Sequence, residues 1–170
     1  MQYNLHPLFV HFPIALLVVY SCLKIIPFER WFPHVALKDI QRVLLFFGLL
    51  GAGAALFTGE TAERLTQPNV GIVSMHSLCA TIATSIYGAL FFGELCVLFH
   101  QYIIRIISPS YTRIISWIEC ILTTSIFSRI LALCGFIALA IVGVLGGVMV
   151  YGLSADPLAP FILSLLGISL

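Results

Sequence analysis

The segment from Arg129 to Leu153 reads RILALCGFIALAIVGVLGGVMVYGL and carries no charged residue after its first position. A bilayer core about 30 Å thick is crossed by about 20 apolar residues in a helix, because each residue adds about 1.5 Å along the axis. This segment is long and apolar enough to cross a membrane. It therefore predicts a membrane protein.

The composition of the whole chain agrees with a membrane location. Of its 170 residues, 61% are hydrophobic and only 9% are charged, whereas about a quarter of the residues in a soluble domain are charged. So few charges would not keep a water-facing surface soluble. The five cysteines are scattered without a Cys-x-x-Cys pair, as is typical of small packing residues. The composition excludes a soluble enzyme, a secreted disulfide scaffold and a nucleic-acid-binding protein.

Four long apolar stretches predict an all-α, integral membrane four-helix bundle that forms a single domain over residues 1–170. The predicted spans are 7–27, 37–59, 70–99 and 129–153. Residues 111–128 form a further helical pattern, with isoleucines opposite Arg113. This amphipathic pattern predicts a helix lying in the membrane interface. A fifth span is the alternative, but it would place Arg113 and Glu119 inside lipid.

The basic residues predict the orientation of the helices. Cytoplasmic loops of membrane proteins carry an excess of Lys and Arg. Here only Arg64 lies in the second connection, and both termini have no basic residue. We therefore expect both termini and the loop 60–69 to face outward. The remaining seven basic residues flank the first and third connections, and they are Lys24, Arg30, Lys38, Arg42, Arg105, Arg113 and Arg129.

Histidines and carboxylates gather at the predicted outward end of the bundle. If the first and third helices begin near residues 7 and 70, His11 lies about 6 Å and His76 about 9 Å inside them. The two imidazoles are then expected at similar depth. The full set at this end consists of His6, His11, Glu60, Glu63 and His76.

Three interpretations of this set remain open. A b-type haem needs two axial imidazoles from facing helices, and His11 with His76 meets the depth requirement, with His6 as a further candidate ligand. This first interpretation predicts membrane electron transfer. Alternatively, all five side chains offer nitrogen and oxygen ligands to a transition-metal ion.

In the third interpretation the histidines bond one another or Glu60 across the bundle without a cofactor. The chain would then be a structural or assembly subunit of a larger membrane complex. No nucleophile with a matching base, no phosphate-binding glycine loop and no His-Glu-x-x-His motif occurs in the sequence. The sequence therefore assigns no enzyme class, although a redox role stays open.

The stretch His6-Pro7-Leu8-Phe9-Val10-His11-Phe12-Pro13 resembles the signature of a bacterial family of predicted membrane proteins, domain of unknown function twenty-two thirty-one. The resemblance extends to Thr58-Gly59, to His76 and to residues 143–151. Family members often read Gly-His-x-Gly-Gly in the last span, where this chain has Val144. If that histidine is a ligand in relatives, this chain lacks it and binds its cofactor differently or not at all.

The resemblance implies four helices in a bacterial inner (cytoplasmic) membrane. With the orientation predicted from the basic residues, both termini are then expected in the periplasm. Because relatives are at times joined to cytochrome-type domains, the resemblance also implies a link to respiratory electron transfer. In that role the chain is expected to contact the lipid bilayer and to exchange electrons with a quinone or a cytochrome.

Overall fold

The structure is a computed structural model, and it describes residues 6–66, 70–106 and 109–168. The predicted all-α class is confirmed, since these residues are mostly helical and contain no strand. Short 3-10 turns occupy Phe28–Arg30 and Leu153–Ala155. The α-helices are α1 His6–Ile25, α2 Leu37–Thr66, α3 Val70–Ile106, α4 Pro109–Thr123, α5 Ser125–Tyr151 and α6 Ala159–Leu165.

Three of the described helices are long and apolar enough to cross a membrane. The qualifying segments are Leu37–Arg64 in α2, Val70–Ile103 in α3 and Ser125–Tyr151 in α5. The first helix contributes a shorter apolar segment, Phe9–Ile25. The sequence thus identified the apolar helices correctly, although the first one is shorter than the others.

Several helices end at positions other than the predicted ones. The second helix continues past Gly59 to Thr66, because no proline or turn sequence interrupts it there. The fifth begins at Ser125, so residues 125–128 belong to α5 and not to the amphipathic helix α4. It ends where Gly152 adopts a φ of 76°, a left-handed conformation that glycine adopts without steric cost.

The helices pack in a closed arrangement in which α1 and α3 lie diagonally opposite each other. The first helix packs along α2 and also contacts α5, while α3 packs along α5 and also contacts α2. The short helix α6 covers one end of α5, where Ala159 and Leu163 join an apolar cluster with Leu145. On α3, α4 approaches closely because Gly93 has no side chain; a Cβ there would lie 2.8 Å from Leu122.

Tyr87 of α3 joins three helices at the centre of the molecule. Its hydroxyl lies 2.7 Å from Oγ of Ser21 on α1, and its ring packs edge-to-face against Tyr20 with centroids 6.0 Å apart. On the other side the ring crosses α5 at Gly135, where a Cβ would lie 2.8 Å from Tyr87 Cζ. These contacts fix the heights of α1, α3 and α5 relative to one another.

Candidate functional site

The hydrogen bond between Ser21 and Tyr87 sets the depth of the histidines. His11 precedes Ser21 by ten residues and His76 precedes Tyr87 by eleven, which corresponds to rises of about 15 Å and 16.5 Å. Since α1 and α3 run in the same direction between shared neighbours, His11 and His76 lie at similar depth. His6 lies about 7.5 Å further toward the end of α1. We call this part of the molecule the histidine end.

His6 is held by the second helix. Its Nδ1 lies 3.0 Å from Oγ1 of Thr58, and the Thr58 hydroxyl donates to the carbonyls of Ala54 and Ala55, each at 3.1 Å. Because that hydroxyl has one proton, Nδ1 of His6 is the donor in its bond to Thr58. Gly59 allows this approach, since a Cβ there would lie 3.6 Å from His6 Cε1.

Burial also affects the titration of His6, which precedes the apolar segment Phe9–Ile25. Removal of the ring from water lowers the pKa of His6, and a hydrogen bond to the Ala55 carbonyl opposes that shift in part. A buried imidazole is more costly to protonate, because the charged form loses more hydration than the neutral form. The neutral ring, which can ligate a metal ion, is therefore favoured at this position.

His76 lies between α3 and α5, with its ring over Gly146. A Cβ at Gly146 would lie 3.5 Å from Cε1 and 3.9 Å from Nδ1 of His76. The Val142 carbonyl interacts with the ring, and His6 is within electrostatic range of it. Nevertheless, Nδ1 of His76 is buried and has no hydrogen-bond partner among the described residues. One imidazole nitrogen at the histidine end is therefore left unsatisfied within the described part of the structure.

The other predicted ligands are placed differently. The side chains of His11 and Glu63 are exposed. Glu60 lies in α2, but its side chain is outside the described part of the structure. Within that part, no group of three or more His, Cys, Asp or Glu side chains is arranged to hold a metal ion. Val144 packs beside the apolar cluster that contains Leu145.

The opposite end of the molecule contains an ion-pair network that sequence reasoning did not predict. Glu94 of α3 accepts a hydrogen bond from Nε of Arg42 on α2 at 3.1 Å, and its other oxygen lies 3.5 Å from Nζ of Lys24 on α1. Arg42 also contacts Asp39 at 3.1 Å. We call this part the basic end. A glutamate within an apolar helix is costly unless a cation lies nearby. The position of Glu94 in the sequence could therefore have predicted an ion pair here.

Two further polar contacts tie the basic end together. Nε2 of Gln41 donates to the Leu23 carbonyl at 3.0 Å, which joins α2 to α1. Nδ1 of His100 lies 2.7 Å from a carboxylate oxygen of Glu119, which joins α3 to α4. The basic end is thus extensively paired, in contrast to His76 at the histidine end.

Comparison with models of protein families, with curated proteins and with solved structures finds no match to this chain. The functional assignment therefore depends on the residues themselves. The arrangement offers two imidazoles from diagonally opposed helices, one oriented by Thr58 and one seated on Gly146. Such a pair is chemically suited to ligating a metal ion.

Proposed function

We propose that this chain is an integral membrane four-helix bundle of the bacterial inner membrane, and that its histidine end binds a b-type haem for membrane electron transfer. The family resemblance of the His6–Pro13 stretch motivates the bacterial and respiratory setting. The single observation that carries the haem assignment is the buried Nδ1 of His76, which has no hydrogen-bond partner among the described residues.

The outer surface of the helices supports the membrane location. Leu50 and Phe57 of α2 are 63% and 86% exposed, and Ile126 of α5 is 71% exposed. Large apolar side chains exposed over a wide surface are unfavourable in water and favourable against lipid. In a bilayer α1, α2, α3 and α5 form the four spans.

The distribution of charge supports the orientation. Lys24, Arg42 and Glu94 meet in one network, so the end of α1 and the start of α2 lie at the same end of the molecule. Seven of the eight basic residues flank the first and third connections, which lie at this end. By the positive-inside rule the basic end faces the cytoplasm, and the histidine end faces the periplasm.

The unsatisfied imidazole is the feature that favours a cofactor over a packing role. A buried polar atom without a partner costs about 1–3 kcal/mol, so a histidine that only fills space would be replaced without loss by an apolar residue. His6 has the opposite arrangement, since its Nδ1 is satisfied by Thr58. A hydrogen bond of this kind orients a ligating imidazole and fixes its tautomer.

Small residues lie near His76 on the neighbouring helix. Gly146 of α5 lies against the ring, and a Cβ at Gly147, the next residue, would meet no atom within 4 Å. We propose that the apolar faces of a macrocycle lie against this glycine-rich part of α5. A bound haem would supply one-electron transfer. The chain would supply His76 as one ligand. The candidates for the second are His11, which lies at the same depth but is exposed, and His6, which is oriented by Thr58.

The proposal is tested by the absorption spectrum of protein purified from membranes in mild detergent. We expect a Soret band, a positive pyridine haemochrome assay and loss of both in His76→Ala. The transition-metal alternative predicts no haem but a metal ion by elemental analysis that is lost in the same variant. Absence of both haem and metal from folded wild-type protein would overturn the proposal and favour a cofactor-free role.

A further inference from the structure

One side of α4 is exposed although it is rich in aromatic and apolar side chains. Tyr111, Ile114 and Trp117 are 64%, 56% and 69% exposed, and their three-residue spacing places them on one side of the helix. The helix packs on α3 where Leu122 meets Gly93, and of these three residues Trp117 lies farthest around the helix from that contact. At the neighbouring end of α3, Tyr102 is 66% exposed.

Exposed arginines accompany these aromatic residues. Arg105 lies in the last turn of α3, Arg113 in α4 and Arg129 near the start of α5, and all three side chains are exposed. In the part of the chain that the structure describes, no ion pair involves any of them. Arg113 precedes Trp117 by four residues, so the two share a helix face. Positive charge and amphipathic aromatic rings therefore occur on one surface.

This combination matches the chemistry of a membrane surface. Trp and Tyr concentrate at the headgroup level of a bilayer. The cytoplasmic leaflet carries anionic lipids that attract arginines near the membrane. The apolar segment of α3 reaches Ile103, so the lipid-facing surface proposed above is continuous with the end of α3 that holds α4.

We propose that the exposed side of α4, together with Arg105 and Arg113, binds the anionic phospholipid headgroups of the inner leaflet. Trp117 and Tyr111 lie among the headgroups, and the two arginines contact lipid phosphates. The inference rests on the membrane location and orientation given under the proposed function, but not on haem binding. Charge complementarity and continuity with the apolar surface of α3 favour lipid over a second protein.

Tryptophan fluorescence provides a direct test. The chain has two tryptophans, so Trp31→Phe leaves Trp117 as the sole reporter. The variant is placed in phosphatidylcholine vesicles that contain either brominated phosphatidylglycerol or brominated phosphatidylcholine at the same mole fraction. We expect stronger quenching by the anionic lipid, equivalent to an enrichment of about fivefold for each arginine engaged. Added salt should reduce the difference.

Arg113→Gln in the same background should lower the anionic preference by a similar factor. Arg64→Gln, which removes a basic residue from the opposite end, serves as the matched control and should leave it unchanged. Equal quenching by the two lipids in the parent protein would overturn the proposal. Absence of quenching by either lipid would also overturn it and would indicate that a protein covers this face.

Membrane insertion is measured separately in the same samples by flotation of the vesicles after alkaline extraction. Protein that fails to float would contradict the proposed membrane location itself. Protein that floats but shows no anionic preference would contradict only the lipid inference.

Discussion

The two ends of the molecule differ in how their buried polar groups are paired. At the basic end Glu94 contacts both Lys24 and Arg42. At the histidine end Nδ1 of His76 is buried and lacks a hydrogen-bond partner among the described residues. Pairing stabilises a fold, whereas an unsatisfied buried group lowers its stability and is expected where it serves a function. The difference separates an end where charged side chains hold helices together from an end where, in the proposed function, a ligand would bind. The Tyr20 hydroxyl, which packs near Tyr87, is also buried without a partner among the described residues.

The largest effect is expected from breaking the network at the basic end. Glu94→Gln leaves Lys24 and Arg42 close together without their shared carboxylate. These three side chains are only 17–27% exposed, so we expect the free energy of unfolding to fall by about 2–3 kcal/mol. Denaturation in detergent micelles measures this change.

Asp39→Asn is the matched control for that variant. Asp39 also contacts Arg42, but its side chain is 71% exposed, so its loss should cost less than about 0.5 kcal/mol. Equal losses in the two variants would contradict the structural role assigned to Glu94.

A second effect is expected where Tyr87 crosses α5. Gly135→Ala places a Cβ 2.8 Å from Tyr87 Cζ, and because the ring is fixed between helices, overpacking should lower the stability by about 2 kcal/mol. Gly143→Ala, on the same helix, meets no atom within 4 Å and should leave the stability unchanged or slightly raised. Reversal of this order in thermal unfolding would contradict the packing described for α3 and α5.

A paired and an unpaired polar group can be compared by removing each in turn, the Tyr87 hydroxyl and the His76 imidazole. Tyr87→Phe breaks the bond to Ser21 and should lower the stability by about 1 kcal/mol. In cofactor-free protein, His76→Leu removes an unsatisfied nitrogen together with the interaction of the ring with the Val142 carbonyl. Because the two effects oppose each other, the stability should change by less than about 1 kcal/mol. Chemical denaturation of the two variants beside wild type measures both shifts. A substantial loss of stability in His76→Leu would show that His76 has a packing or hydrogen-bonding role.

The smallest effect concerns pH. Burial lowers the pKa of His6 in the folded protein below its ordinary value of 6.5, so the unfolded chain binds the proton more readily. Stability should therefore be constant above about pH 7 and should fall as the pH drops through 6.5 toward the lower folded pKa. His6→Gln should flatten this part of the profile. An unchanged profile in that variant would assign the pH dependence to another group.

Much of the fold follows from the sequence because long apolar stretches can satisfy their backbone groups only as helices in a bilayer. The apolar stretches, and the concentration of basic residues at one end of the predicted bundle, could therefore be recognised from the sequence. The helix ends were harder to predict. Residues 60–66 continue α2, although the polar residues in this stretch are as compatible with a loop as with a helix.

The partners of individual side chains were harder to predict. The sequence indicated that His11 and His76 share a depth, which the register at Ser21 and Tyr87 supports. It did not indicate which histidine turns inward, because that depends on helix rotation. The structure exposes His11 and places His6 on Thr58. Three-dimensional packing likewise brings Lys24 and Arg42 to Glu94 from separate helices.

Haem content measured in parallel for wild type, His76→Ala and His34→Ala tests the central claim most directly. His34 is exposed in the connection after α1 and controls for loss of a histidine far from the histidine end. We expect bound haem in wild type and His34→Ala and none in His76→Ala, with all three proteins folded. Equal haem content in the three proteins, or none in folded wild type, would contradict it.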